Sequence, residues 1–126
     1  MAKIMIIEDN PVHNVLLCHS MEDAGHKTMP FYDYDSAKDE LKNSTPDLFI
    51  LDFQIKGIRT AALDFIKGLM KSKHHKRIPI IIISAYVTKE DIEKQFPGFD
   101  IENVIEKPFN VETITTRVRE LLKKSK

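Results

Sequence analysis

The feature that most constrains this chain is a repeated unit, a short apolar run that stops at a polar or charged residue. Ile4-Met5-Ile6-Ile7 ends in Glu8-Asp9, Leu48-Phe49-Ile50-Leu51 in Asp52, Ile80-Ile81-Ile82-Ile83 in Ser84, and Val104-Ile105 in Glu106-Lys107-Pro108. Unbroken runs of this length read as strands buried on both faces, the pattern of a parallel sheet. Parallel strands point their carboxyl ends the same way, and open α/β sheets place their chemistry outside that edge. Three carboxylates, a hydroxyl and an ammonium then converge there: Glu8, Asp9, Asp52, Ser84 and Lys107.

Helical patterns fill the intervals. Asn10-Pro11 offers a cap and a first-turn proline, Leu17, Met21 and Ala24 share a face, and Gly25 is a stop. Asp35-Ser36 starts a short second helix carrying Ala37 and Leu41. After a loop over 53–60, Ala62, Phe65, Ile66, Leu69 and Met70 stripe a third. Thr88 with Asp91 resembles a capping box and opens a fourth, which stops before Pro97-Gly98. Asn110 caps a fifth, with Val111, Ile114, Val118, Leu121 and Leu122 on its buried side and basic residues at its end, as the helix dipole favours. With strands over 3–8, 27–32, 47–52, 78–83 and 101–106, this is an α/β chain of five βα units, a doubly wound five-stranded parallel sheet with five helices. Pro30 removes a ladder donor and sends the second strand to an edge. The continuous runs belong in the middle and the mixed ones outside, which gives the order 2-1-3-4-5, the flavodoxin-like arrangement.

The length of 126 residues suits one domain over 1–126. Lys plus Arg is 19 and Asp plus Glu is 19, so no global field draws nucleic acid or an anionic membrane. No segment approaches the roughly 20 apolar residues of a membrane helix. The single cysteine, Cys18, excludes an internal disulfide and reads as a small packed side chain. A soluble cytoplasmic protein is expected.

Clustered carboxylates at a strand edge repel one another unless a cation sits among them. An oxygen-only set favours a hard cation such as Mg²⁺, which binds through one or two carboxylates plus phosphate. Glu8, Asp9 and Asp52 therefore predict a phosphoryl ligand, with Lys107 as a second cation and Ser84 as a hydroxyl donor. A carboxylate can itself be the nucleophile, and Asp52, on a central strand before a long loop, is the candidate.

The chain resembles the receiver domain of bacterial response regulators over essentially all of residues 3–124. The resemblance rests on Glu8-Asp9, Leu51-Asp52, Ser84-Ala85 and Lys107-Pro108-Phe109, each in order and each at the end of the right strand. It implies that Asp52 accepts phosphoryl from a phosphohistidine on a sensor histidine kinase or a histidine phosphotransfer protein. It implies that Asp9 and Asp52 ligate Mg²⁺, that Glu8 holds it through water, and that the backbone carbonyl of Gln54 is another ligand. Ser84 would bond a phosphoryl oxygen, Lys107 would pair with Asp52 and then with the phosphoryl group, and the Lys107–Pro108 bond would be cis. The output implied is a changed surface for a downstream protein, with no nucleic acid or membrane partner and room for a weak homodimer. Slow autodephosphorylation is expected rather than enzymatic turnover. Tyr86 and Gln54 occupy positions that tune that hydrolysis in the family, and a bulky Tyr86 should hinder water, so a long-lived phosphorylated state is expected.

The sequence departs from the family in three places. Ile55-Lys56 replaces the usual Met-Pro pair, which makes the loop more mobile and adds a charge. Thr60-Ala61-Ala62 replaces a glycine, and Val104 stands where a switching Tyr or Phe is usual. Val104 and the lost Met-Pro pair give some weight to an alternative, a receiver-like module that docks one partner without phosphorylation. Two enzymes on similar folds are disfavoured. Glu8-Asp9-Asn10-Pro11 cannot form a flavodoxin phosphate loop, and Asp52-Phe53-Gln54 lacks the second acid of a haloacid-dehalogenase-type phosphatase. His13, His19 and His26 have no acid or cysteine at ligand spacing and read as inert, although His13 falls near the predicted site. The basic run Lys71-Ser72-Lys73-His74-His75-Lys76-Arg77 reads as a solvated loop at the opposite end of the strands.

Overall fold

In a computed structural model, which describes residues 2–55 and 57–124, strands and helices alternate as the sequence predicts. The strands are β1 (Lys3–Ile7), β2 (Lys27–Phe31), β3 (Leu48–Asp52), β4 (Ile80–Ser84) and β5 (Val104–Glu106). The helices are α1 (Pro11–Asp23), α2 (Tyr34–Glu40), α3 (Thr60–Lys71), α4 (Lys89–Gln95) and α5 (Val111–Lys124). All strand pairs are parallel, in the order β2-β1-β3-β4-β5.

Side chains alternate across each strand, and the two sets go to two cores. Ile4, Ile6, Leu48, Ile50, Ile81 and Ile83 pack with Leu17 and Met21 of α1 and with Ile114, Val118 and Leu121 of α5. Met5, Ile7, Phe49, Leu51, Ile82 and Val104 pack on the other face with α2, α3 and α4. Burial on both faces is why β1, β3 and β4 read as unbroken apolar runs. Each fully buried Ile contributes about 1.5–3 kcal/mol relative to an exposed one.

Several details refine the sequence reading. Residues 101–103 form a 3-10 turn rather than the start of β5, because the Asp100 carboxylate accepts from the Glu102 amide and caps that turn. Helix α2 begins one residue earlier than Asp35, with Asp33 accepting from the Ser36 amide. Met70 lies off the buried stripe of α3 and is 42% exposed. The loop after Asp52 is held by reciprocal backbone hydrogen bonds between Ile55 and Ile58, 3.2 and 3.0 Å, around Gly57 at φ 77°, a conformation that favours glycine. Ile55 itself is buried, while Lys56 lies outside the described residues.

The Thr88–Asp91 capping box forms in full. Arg117, unremarked in the sequence, is buried on α5 and ties the turn before β5 in place, with Nε donating to Asn103 at 2.7 Å and an ion pair to Asp100 at 2.8 Å.

Candidate functional site

The parallel ladder continues past the strand ends. The Glu8 amide donates to Phe31, the Phe53 amide to Ile83 and the Lys107 amide to Ser84. The two-residue alternation therefore still holds there. Glu8 keeps the side of Ile4 and Ile6, Asp52 that of Leu48 and Ile50, and Lys107 that of Ile105. All three side chains emerge over the α1–α5 face, at the carboxyl edge.

Lys107 Nζ lies 2.7 Å from Glu8 Oε1 and 3.2 Å from Asp52 Oδ2. Asp9 completes the acidic group, and ligand atoms of Glu8, Asp9 and Asp52 lie within 4.8 Å of one another. The second oxygen of Glu8 accepts from the Asn10 amide and Oδ1 of Asp52 from the Gln54 amide, each at 3.1 Å. The Lys107–Pro108 peptide bond is cis, as the resemblance implies.

The electrostatics are uneven. Burial, then a hydrogen bond with Glu8 and its charge, push the Asp52 carboxyl up to about 7. Burial pushes Glu8 up as well, but hydrogen bonds from Asp52, Lys107 and the Asn10 amide outweigh it and leave it below the usual range. The asymmetry follows from distance. The ammonium sits closer to Glu8, so Asp52 is the acid left to hold a proton. Burial alone would lower Lys107, but its bond to Glu8 and the two carboxylate charges raise it, so it stays charged.

The donor set fits a hard divalent cation. It is all oxygen, it carries more negative charge than one ammonium offsets, and the raised Asp52 shows a surplus that such an ion would relieve.

Ser84 follows the other parity, toward α4. It is fully buried, and its hydroxyl oxygen accepts from the Val87 amide at 2.9 Å. Tyr86 is 78% exposed on the following loop, and Val104 is buried beneath α4.

Three residues join the site without having been singled out as parts of it. Asn14 is buried and donates to the carbonyls of Glu8 at 2.9 Å and Phe31 at 3.0 Å, fixing the end of β1. Its signal was its place on the Leu17–Met21 stripe, where an amide needs partners. Cys18 donates to Asn14 Oδ1 at 3.5 Å, and burial pushes its thiol up, in keeping with a packed side chain. Tyr34 donates to the backbone carbonyl of Asp52 at 2.5 Å and stacks at an angle on Phe65. Burial, and then the charges of Asp52, Glu8 and Asp9, hold its phenol well above its ordinary range, so it remains a donor. A Tyr on the apolar stripe of a short helix was the available clue. His13 lies beside the site, as its place in the sequence suggested, with Nδ1 3.5 Å from Glu8 Oε1 and its ring meeting Phe109 edge-on at 5.3 Å.

The family described as "Response regulator receiver domain" matches residues 4–119. The chain belongs to that family. This receiver domain is 28% identical over 123 residues to the phosphate regulon transcriptional regulatory protein PhoB of Escherichia coli, covering 97% of this chain and 52% of PhoB. It thus spans about half the length of the first curated relatives it matches. It is also 28% identical to the polar-differentiation response regulator DivK of Brucella ovis, with 94% of each chain covered. Among solved structures, the receiver domain of a signal transduction histidine kinase from Syntrophus aciditrophicus has a TM-score of 0.84 at 23% identity, covering 100% of this chain and 93% of that one. The chemotaxis response regulator CheY4 of Vibrio cholerae has 0.82 at 21%, covering 96% and 98%. At these identities the structural likeness speaks to the fold.

Proposed function

We propose that Asp52 is the phosphoacceptor of a two-component phosphorelay, taking its phosphoryl group from a phosphohistidine on a sensor histidine kinase or histidine phosphotransfer protein. The observation that carries this reading is the Asp52 carboxylate grouped with Glu8 and Asp9 at the carboxyl edge, with Lys107 Nζ 3.2 Å from Oδ2. A carboxylate oxygen of Asp52 attacks phosphorus, the N–P bond breaks, and the imidazole nitrogen keeps the electron pair and takes a proton from solvent. Asp9, Asp52 and the Gln54 carbonyl would hold Mg²⁺ directly and Glu8 through water. When bound, it would keep the carboxylates ionised and neutralise phosphoryl oxygens. Lys107 is placed to follow the charge from Asp52 to the phosphoryl group.

Exposed Val12, Val15 and Leu16 share one face of α1 and start within a turn of Asp9, which supports a protein donor docking beside the site. Ser84 would exchange its Val87 bond for a phosphoryl oxygen and move the loop before α4, changing a surface read by a downstream protein. Residues 1–126 form one receiver unit that acts in the cytoplasm, with hydrolysis slow rather than enzymatic. Tyr86 would lie over the phosphoryl group and lengthen its lifetime, and measured release as fast as in rapidly resetting chemotaxis regulators would overturn that point.

The deciding experiment is Mg²⁺-dependent labelling with acetyl phosphate. Incorporation into the wild type and none into Asp52→Asn is expected, and equal labelling of both would overturn the assignment. Val104, an aliphatic residue where an aromatic switch is usual, favours a second reading, a module that docks one partner constitutively. Pull-down that ignores beryllofluoride would select it.

A further inference from the structure

The amino ends of the strands carry a cleft of about 660 Å³, at the far end of the sheet from Asp52. Its wall includes Arg77, the last residue of the basic run before β4, and Arg119 and Lys123 of α5. The two α5 residues are spaced i, i+4 and so lie on one face of the helix. None of the three makes an ion pair among the described residues. The acid in the lining, Asp47, whose Oδ2 accepts from the Lys3 amide at 2.8 Å, offsets one of these three charges and leaves the wall with a positive excess. The helix dipole accounts for Lys123 in the last turn of α5. It does not account for Arg119, a turn earlier, or for Arg77 on another element. Ile78, Pro79 and Leu122 add apolar surface to the same lining.

We propose that this cleft binds a nucleoside polyphosphate, with the phosphates on Arg77, Arg119 and Lys123 and the base against the apolar wall. Three cations from two elements suit a chain of phosphates better than a single one, and arginine forks match phosphate oxygens. The volume falls within the roughly 300–1,000 Å³ of small-molecule sites, more than inorganic phosphate would fill. A polynucleotide is disfavoured, because the basic run has no interleaved aromatic and the chain is neutral overall. The proposal is independent of the phosphoacceptor reading.

The test is calorimetric titration of the full chain with ATP in EDTA, so that the acidic edge cannot recruit nucleotide through a metal. Adenosine, inorganic phosphate and a short single-stranded oligonucleotide serve as comparison ligands. ATP should bind measurably and adenosine should not. Arg77→Gln and Arg119→Gln should each weaken ATP about tenfold, the equivalent of one lost charge-assisted hydrogen bond. Both side chains are exposed, so the unfolding temperature should not change. Amide shifts on binding should map to 77–79 and 119–123. No binding at millimolar ATP, equal binding of adenosine or phosphate, tighter binding of the oligonucleotide, variants that leave affinity unchanged, or shifts centred on Glu8 and Asp52 would each overturn the proposal.

Discussion

Asp52 and Glu8 are neighbours with opposite displacements, and the pair sets how stability should depend on pH. Asp52 holds its proton more tightly folded than unfolded, so its contribution is fully present below the ordinary carboxylate range and is lost as pH rises through about 7. Glu8, lowered, works the other way, and its contribution is lost only as pH falls below that range. Thermal unfolding in EDTA should therefore show the protein losing stability relative to Asp52→Asn as pH rises from 5 to 8, the difference between the two isolating Asp52 from His26, whose lowered imidazole acts with the opposite sign in both proteins. Parallel slopes for the two proteins would mean that Asp52 is not the titrating group. A second residue-scale test concerns Asn14. Replacing it with Ala strips the Glu8 carbonyl of its buried donor and should cost about 2 kcal/mol by urea denaturation. The acids and Lys107 were legible because each ends an apolar run. Asn14 and Tyr34 were not, because pattern shows that a polar side chain is buried without showing which carbonyl it serves.

At the scale of elements, α1 has two working faces. Leu17 and Met21 anchor it to the sheet, while Val12, Val15 and Leu16 face solvent one helical turn from the acids. Val15→Glu should slow phosphotransfer from a protein donor about tenfold, the size of a modest interface contact, and leave labelling by acetyl phosphate unchanged. Equal slowing of both would place the effect in the chemistry rather than in docking. The sequence reading of elements succeeded where hydrophobic period and caps agreed, as in α1, α4 and α5. It failed over 101–103, where one carboxylate turned the backbone before the strand began. Asp35-Ser36 looked like a helix start because capping residues stand together there, and the choice of Asp33 is visible only in its bond to the Ser36 amide.

At the scale of the whole molecule, the sheet order was readable because only central strands need apolar residues on both sides. The burial patterns of β3 and β4, buried throughout, and of β2, half open, match that logic. Bringing Glu8, Asp9 and Asp52 together stores a repulsion that a bound cation should release as global stability. Mg²⁺ at ten times its dissociation constant should add about 1.4 kcal/mol to unfolding, and Asp52→Asn should reduce that gain. An unfolding temperature indifferent to Mg²⁺ would speak against a metal centre at this edge.

The acids and the unpaired cations sit at opposite ends of strands that span about 16 Å. With 19 charges of each sign, the chain feels no net pull from a distant charged body. The acidic edge and the basic cleft can still act locally at close range. A partner with a positive rim would be favoured at the ends of β1 and β3 and disfavoured at the other end of the same strands, so the two ends of the sheet are chemically distinct to anything that docks.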